Sequence, residues 1–215
     1  MAGQILFVSG IDTDVGKTIA TGVFARMLAQ QGVRVITQKM VQTGCEKLSD
    51  DIITHRKVQG VPLCDDDTCG LTCRFIYHYP CSPHLAAEME GRAIDLDLIT
   101  QDSRTLAQRY EVVLLEGAGG LAVPLNATQT TLDYLQQQGY PLILVTSGKL
   151  GSINHTLLSL EVCRARNIPL HTLIYNRYPK KDDIIEQSSE CYLQHYLQQH
   201  HPNAQFMILE EQKAI

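Results

Sequence analysis

Short apolar runs alternate with longer stretches of mixed polarity along the chain, the pattern of strands alternating with helices around a mainly parallel sheet. Residues 4–9 form an apolar run that leads into a glycine, and residues 17–31 carry a helical pattern that stops at Gly32. Residues 33–38 predict the next strand, and a helix opens at Asp50. Residues 62–83 break the rhythm with Cys, Asp and Pro, and read as a loop with one irregular strand. Ser82 before Pro83 reads as an N-cap with proline at the first helical position, which predicts a short helix over 84–90 ahead of a longer one over 96–109. Residues 111–115 and 141–146 are apolar enough for strands buried on both faces. Helices over 130–138 and 154–167, a strand over 170–175 and a polar helix over 182–200 complete the order. No repeat, linker or boundary interrupts it, so residues 1–215 read as one α/β domain with helices on both faces of the sheet.

Composition narrows the function classes. With 44% hydrophobic and 19% charged residues the chain has the make-up of a soluble globular protein. Eighteen basic residues against 23 acidic ones give a net charge of −5 with no dense Lys/Arg cluster. Neither a nucleic-acid footprint nor a basic membrane-binding face is expected. No apolar run approaches the roughly 18 residues of a membrane span, and the first ten residues lack the charged and apolar regions of a secretory signal. Both point to the cytoplasm, where the seven cysteines would stay reduced. Cys64, Cys69, Cys73 and Cys81 crowd into one segment, but their spacing of x4, x3 and x7 lacks the C-x2-C knuckle of structural zinc. They read as small, partly buried apolar side chains.

The most informative segment is Gly10-Ile11-Asp12-Thr13-Asp14-Val15-Gly16-Lys17-Thr18, between an apolar strand and a helix. A phosphate-binding loop belongs in that context, because free backbone N–H groups and a helix N-terminus supply positive charge. The spacing is G-x5-G-K-T, one residue longer than the usual G-x4-G-K-[ST]. Lys17 would reach the terminal phosphates and Thr18 would offer its hydroxyl to Mg²⁺. Lys39 lies at the carboxyl end of the second strand, where parallel sheets form their binding crevice, and a second cation suits a substrate that becomes anionic before it meets the γ-phosphate. Asp50 and Asp51 open the next helix, and Glu116 ends the strand before it in the Walker-B position. With Thr18 these carboxylates would hold Mg²⁺, and Asp50 and Asp51 are equal candidates. Glu116 ends a fully apolar strand and so needs a cation or hydrogen bonds. The glycines that follow it let backbone approach a ligand closely.

These residues resemble the dethiobiotin synthetase family. The loop is similar to that family's signature G-T-D-T-[DE]-V-G-K-T. Four further segments agree: Lys39-Met40-Val41-Gln42-Thr43-Gly44, Ser82-Pro83-His84-Leu85-Ala86-Ala87, Glu116-Gly117-Ala118-Gly119-Gly120, and Lys149-Leu150-Gly151-Ser152-Ile153-Asn154-His155. Together they span about residues 4–178. The resemblance implies a P-loop NTPase-like fold and an ATP- and Mg²⁺-dependent ligase. One amine of 7,8-diaminopelargonic acid takes up CO₂ (or bicarbonate) as a carbamate, the carbamate is phosphorylated by ATP, and the neighbouring amine closes the cyclic urea. By resemblance Thr13, Lys17 and Lys39 would surround the reacting groups. Asp14, Val15, Gly16, Lys17, Thr18, Ile19, Glu116, Gly117, Gly119 and Asn176 would bind the nucleotide, with Asn176 reading the base. Thr43, Gly119, Gly151, Ser152, Ile153 and Asn154 would bind the diamine, and Thr18, Asp50 (or Asp51) and Glu116 the metal. The Gly151-Ser152-Ile153-Asn154 segment would come from the second subunit of a homodimer.

Three departures bear on that reading. Met40 stands where the family has proline, and residues 62–79 are unusually rich in Cys and Asp. The family's final strand is followed by a G-x-[IL]-P loop over the base, which residues 205–215 do not contain. The alternatives are a partitioning or regulatory ATPase of the deviant-Walker class, whose loop carries a lysine near its start where this chain has Ile11-Asp12-Thr13, and a divergent paralogue on the same scaffold.

Overall fold

The structure is a computed structural model that describes residues 2–179 and 182–212. Met1 and the last three residues of the C-terminal stretch read above, 213–215, lie outside the described residues. In chain order the elements are β1 (Gln4–Gly10), α1 (Lys17–Gln30), β2 (Val35–Lys39), β3 (Gln42–Thr43), α2 (Asp50–Gln59), α3 (Asp65–Thr68), β4 (Ile76–Tyr77), α4 (Pro83–Met89), α5 (Leu96–Arg109), β5 (Val112–Gly120), α6 (Thr131–Gln138), β6 (Leu142–Ser147), α7 (Ser152–Ala165), β7 (Leu170–Asn176), α8 (Asp183–His200) and β8 (Gln205–Leu209). Six strands make one sheet in the order β2-β5-β1-β6-β7-β8, with every neighbouring pair parallel. β3 and β4 form a separate parallel pair.

Alternation along the strands sorts the core into two layers. Phe7, Leu115, Leu142, Leu144 and Tyr175 cluster with Tyr134 and Leu135 of α6, Leu160 of α7 and Leu193 of α8. Leu6, Val8, Leu114, Ile143 and Val145 belong to a second cluster with Ala20, Phe24 and Ala25 of α1. Both faces of the sheet are therefore covered, which is why the β5 and β6 segments read as unbroken apolar runs. Each fully buried Leu, Ile or Val in these layers contributes roughly 1.5–3 kcal/mol through the hydrophobic effect. Among the described residues no helix is long and apolar enough to cross a membrane.

Three segments differ from the expectation. β5 does not stop before Glu116 but continues through Gly120, because β2 still pairs with it at Glu116 and Gly10 of β1 pairs with Gly120. Polar and glycine residues are poor strand formers, so backbone pairing at the sheet's carboxyl edge has overridden propensity. Residues 62–83 are mainly loop with the one short strand expected, and differ from the reading only by a single-turn helix. They hold the short helix α3 and the strand β4, with Cys64 as the N-cap of α3 and Asp67 bonding back to the Cys64 N–H at 2.9 Å. The stretch after α8 forms β8, which pairs with β7 from Gln205 to Leu209.

Candidate active site

The chain leaves β1 for β2 on one side of it, and leaves β5 for β6 across to the other. Such a reversal opens a crevice at the carboxyl ends of the strands, and the loop after Gly10 fills it. Asp14 and Gly16 hold left-handed backbone, with φ of 57° and 90°, and Gly16 is the N-cap of α1. Left-handed residues beside a helix N-terminus build a concave N–H cradle for anions. A Cβ on Gly16 would lie 2.4 Å from Asn176 Nδ2, so both conformation and space restrict that position to glycine. Asn176 donates Nδ2 to the Val15 carbonyl at 3.0 Å and accepts from the Tyr178 N–H at 3.0 Å, which clamps the loop to the end of β7. Lys17 Nζ donates to the Asp12 carbonyl at 2.8 Å. Its burial, and then the Lys39 charge, hold its pKa below the ordinary lysine value.

Beside the loop lies a buried cluster of charge. Lys39 Nζ is 2.5 Å from Asp51 Oδ2, 2.9 Å from Glu116 Oε1 and 3.0 Å from the Gly117 carbonyl. Burial alone would lower the Lys39 pKa, but the charges of Glu116 and Asp51 hold it above the ordinary lysine range. Burial alone would raise the Glu116 carboxyl, but Lys39 and a hydrogen bond from His55 hold it well below the usual carboxylate range. Two lysines, Lys17 and Lys39, thus face two carboxylates, Asp51 and Glu116, in one desolvated cluster. Thr18 Oγ1 is 3.0 Å from Asp51 Oδ1 and 3.3 Å from Glu116 Oε1. Three hard oxygens converge there with one hydroxyl proton among them, a donor set that fits a Mg²⁺ ion. Asp50, by contrast, is exposed and does not line the cavity. The geometry therefore singles out Asp51 from the pair. Ser49 builds this arrangement by capping α2: its Oγ accepts from the Ile52 N–H at 3.2 Å and donates to Gln42 Oε1 at 2.6 Å.

The cluster opens into a cavity of about 1220 Å³. Thr13, Asp14, Gly16, Lys17, Thr18, Ile19, Lys39, Thr43, Glu116, Gly119 and Asn176 all line it. Gly119 is left-handed, at φ 64°. Val15 does not line it, and Gly117 contributes only the carbonyl that receives Lys39. At the far end the wall is Tyr178, Pro179, Leu209, Glu210, Glu211 and Gln212, so residues after β8 reach the cavity without the expected loop. An ion pair between Arg177 and Glu210 at 2.6 Å and a bond from Arg26 Nη2 to Gln212 Oε1 at 2.9 Å fix that wall. Gly151 and Ser152 line a second, smaller cavity across the phosphate loop, and Ile153 and Asn154 line neither.

Two buried residues of the cluster escape a reading by motif. His55 Nε2 is 2.9 Å from Glu116 Oε2, and Thr21 Oγ1 donates to the same oxygen at 2.7 Å. Their signal is helical spacing: His55 follows Asp51, and Thr21 follows Lys17, by the four residues that bring side chains onto one helix face. The four cysteines of the divergent segment are unpaired and range from buried Cys73 to exposed Cys69. Among the described residues no group of three or more His, Cys, Asp or Glu side chains is placed to hold a metal on its own, so the hydroxyl of Thr18 is integral to the set described above.

Known proteins share both the fold and the sequence. A family model described as an AAA domain matches residues 4–206. The signal recognition particle receptor FtsY of Elizabethkingia anophelis superposes with a TM-score of 0.54 at 15% identity, and the cell division protein FtsY of Thermotoga maritima with 0.56 at 13%, each covering 98% of this chain. The chain spans 60% and 63% of those two proteins, and the likeness concerns the fold alone. In sequence it is 60% identical to an ATP-dependent dethiobiotin synthetase of Haemophilus ducreyi, over 98% of this chain and 100% of that protein. It is 53% identical to that of Pasteurella multocida over 96% and 97% of the two chains, and 51% identical to that of Chlorobaculum tepidum over 86% and 77%. Identity of that degree over nearly the whole length means that this chain belongs to the ATP-dependent dethiobiotin synthetase family.

Proposed function

We propose that this chain uses ATP and CO₂ to convert 7,8-diaminopelargonic acid to dethiobiotin. The observation that carries the reading is Lys39, a buried ammonium at the carboxyl end of β2 that shares one cavity with the phosphate loop and Thr43. Carbamate formation turns one amine of the substrate into an anion. That anion must approach a polyphosphate, and two fixed cations in a low-dielectric site oppose the repulsion. Lys17 then faces the terminal phosphates and Lys39 the carbamate. Attack of the carbamate oxygen on the γ-phosphorus breaks its bond to ADP, which leaves, and gives a carbamic–phosphoric anhydride; the second amine, held near Thr43, attacks the anhydride carbon, closes the ring and releases phosphate. Binding exchanges partners within the cluster: Lys17 turns from the Asp12 carbonyl, and Lys39 from Asp51 and Glu116, to the anions.

Those carboxylates, Asp51 and Glu116, with Thr18, are the residues that would hold Mg²⁺. The ion supplies further neutralisation of the phosphate charge when bound. Gly119 contributes backbone close to the diamine. Asn176, Tyr178 and the segment after β8 receive the base.

The homodimer is part of the same reading. The Gly151-Ser152-Ile153-Asn154 segment lies outside the cavity that holds Lys39, so a pelargonate carboxylate bound at the start of α7 would belong to the partner's cavity. Around it Leu150, Leu158 and Val162 are 83%, 61% and 40% exposed, an apolar strip that suits a second copy. The test is release of phosphate from ATP that requires both the diamine and bicarbonate. Release that proceeds equally without the diamine would overturn the function.

A further inference from the structure

Glu116 is held on the side away from Lys39 by a chain of hydrogen bonds that its metal-binding role does not require. His55 is fully buried, with Nε2 2.9 Å from Glu116 Oε2 and Nδ1 3.0 Å from Thr37 Oγ1. Thr37 Oγ1 already accepts from Arg56 Nη1 at 2.8 Å, which leaves its own proton to point at His55 Nδ1. With Nδ1 accepting, the ring proton sits on Nε2 and is donated to Glu116. Arg56 is gripped in a fork by Asp67, with Nε 2.9 Å from Oδ2 and Nη2 2.7 Å from Oδ1. Asp67 also accepts from Thr72 Oγ1 at 2.8 Å and from the Cys64 N–H at 2.9 Å. Thr37, His55, Arg56, Asp67 and Thr72 are all buried.

A buried polar chain of this kind is satisfied only when each member points one way, so each bond fixes the next. Simple filling of the core would be served better by apolar side chains, which carry no desolvation cost. The same segment is tied to the site a second time, because the Lys39 N–H donates to the Thr72 carbonyl at 2.7 Å. We propose that the relay Asp67–Arg56–Thr37–His55 orients Glu116 for the metal, that His55 and Thr37 are positioning residues, and that the Cys- and Asp-rich segment 64–72 is their anchor. This inference rests on the reading of Thr18, Asp51 and Glu116 as the Mg²⁺ site.

Thr37→Val breaks the relay two bonds from Glu116 and touches neither nucleotide nor metal. His55→Leu removes the donor, and His55→Gln offers an amide N–H in its place. Binding of Mn²⁺, as a spectroscopic stand-in for Mg²⁺, to the ADP complex is measured by electron paramagnetic resonance, alongside ADP affinity without metal, kcat, KM for the diamine and far-UV circular dichroism. Thr37→Val and His55→Leu are expected to weaken Mn²⁺ by about 10-fold, the scale of losing an outer partner of a metal ligand, and His55→Gln to recover most of it. Metal-free ADP affinity and the diamine KM should stay within about twofold of the wild type, while kcat falls with metal affinity. Folded variants that bind Mn²⁺ like the wild type and lose only thermal stability would overturn the relay. Should His55→Leu fail to fold, Thr37→Val decides the matter. A wild-type ADP complex that binds no Mn²⁺ would instead overturn the metal site itself.

Discussion

Lys39 makes three contacts at 3.0 Å or less with its side chain buried, so its removal leaves Asp51 and Glu116 without their common countercharge. Lys39→Ala is expected to lower kcat by about 10²-fold or more while ATP affinity changes little, because the carbamate's charge is met chiefly in the transition state. Steady-state kinetics beside equilibrium nucleotide binding separate the two, and an equal loss in both would contradict that role. The neighbouring aspartates make a second comparison. Asp51→Asn should raise the Mg²⁺ concentration needed for half-maximal activity about 10-fold or more, whereas Asp50→Asn, on the exposed side of the same turn, should leave it near the wild-type value. At this scale the loop, Lys39 and Glu116 were legible because their residue types stand out against apolar strands. His55 and Thr21 were not, since a lone His or Thr in a helix gains meaning only when Glu116, 61 and 95 positions away, is brought against it.

Among the elements, the strands were the most readable, because strands covered on both faces must be apolar throughout. Those of the main sheet that went unread, the far end of β5 and all of β8, are held by ladder pairing at its margins rather than by their own composition. The helices announce themselves by caps. Thr130 and Asp133 form a reciprocal capping box at the start of α6. Hydrogen bonds from the Thr130 hydroxyl and N–H, and then Arg166 at 2.5 Å, hold the Asp133 carboxyl down to about 2. A carboxyl whose pKa is depressed by folding stabilises the native state above its unfolded value near 4, and loses that contribution as pH falls through about 2. Solvent screens this pair, since the Asp133 side chain is 35% exposed, so Asp133→Asn should cost only roughly 1 kcal/mol at pH 7, well below what the shift alone would give. Thermal unfolding of variant and wild type should converge between about pH 4 and 2; a gap that persists at pH 2 would assign the loss to packing.

For the whole molecule, one chain carries Lys39 and the start of α7 on different sides of its phosphate loop. If two copies complete each other's sites, a Lys39→Ala chain and an Asn154→Ala chain are each expected to be weakly active alone. Mixing them should restore up to about a quarter of wild-type turnover per site, from random pairing that leaves one intact site in half of the dimers. Absence of any recovery under conditions where subunits exchange would argue for a site built within one chain. The motifs of the second half-site could be read in the sequence only by their likeness to a family, because no spacing within one chain reveals which copy a residue serves.

The register shift that lets Gly10 pair with Gly120 joins the entrance of the phosphate loop to the glycine strip beyond Glu116 through the sheet itself. In many enzymes two reactants are brought together by a closing flap, and part of the binding energy is consumed in ordering it. On the proposed reading of that strip as the diamine's seat, the backbone seats for phosphate and diamine would be neighbours on adjoining strands before anything binds. Their mutual placement is an entropy loss incurred once, when the chain folds, so each catalytic cycle begins with a high effective concentration already in hand.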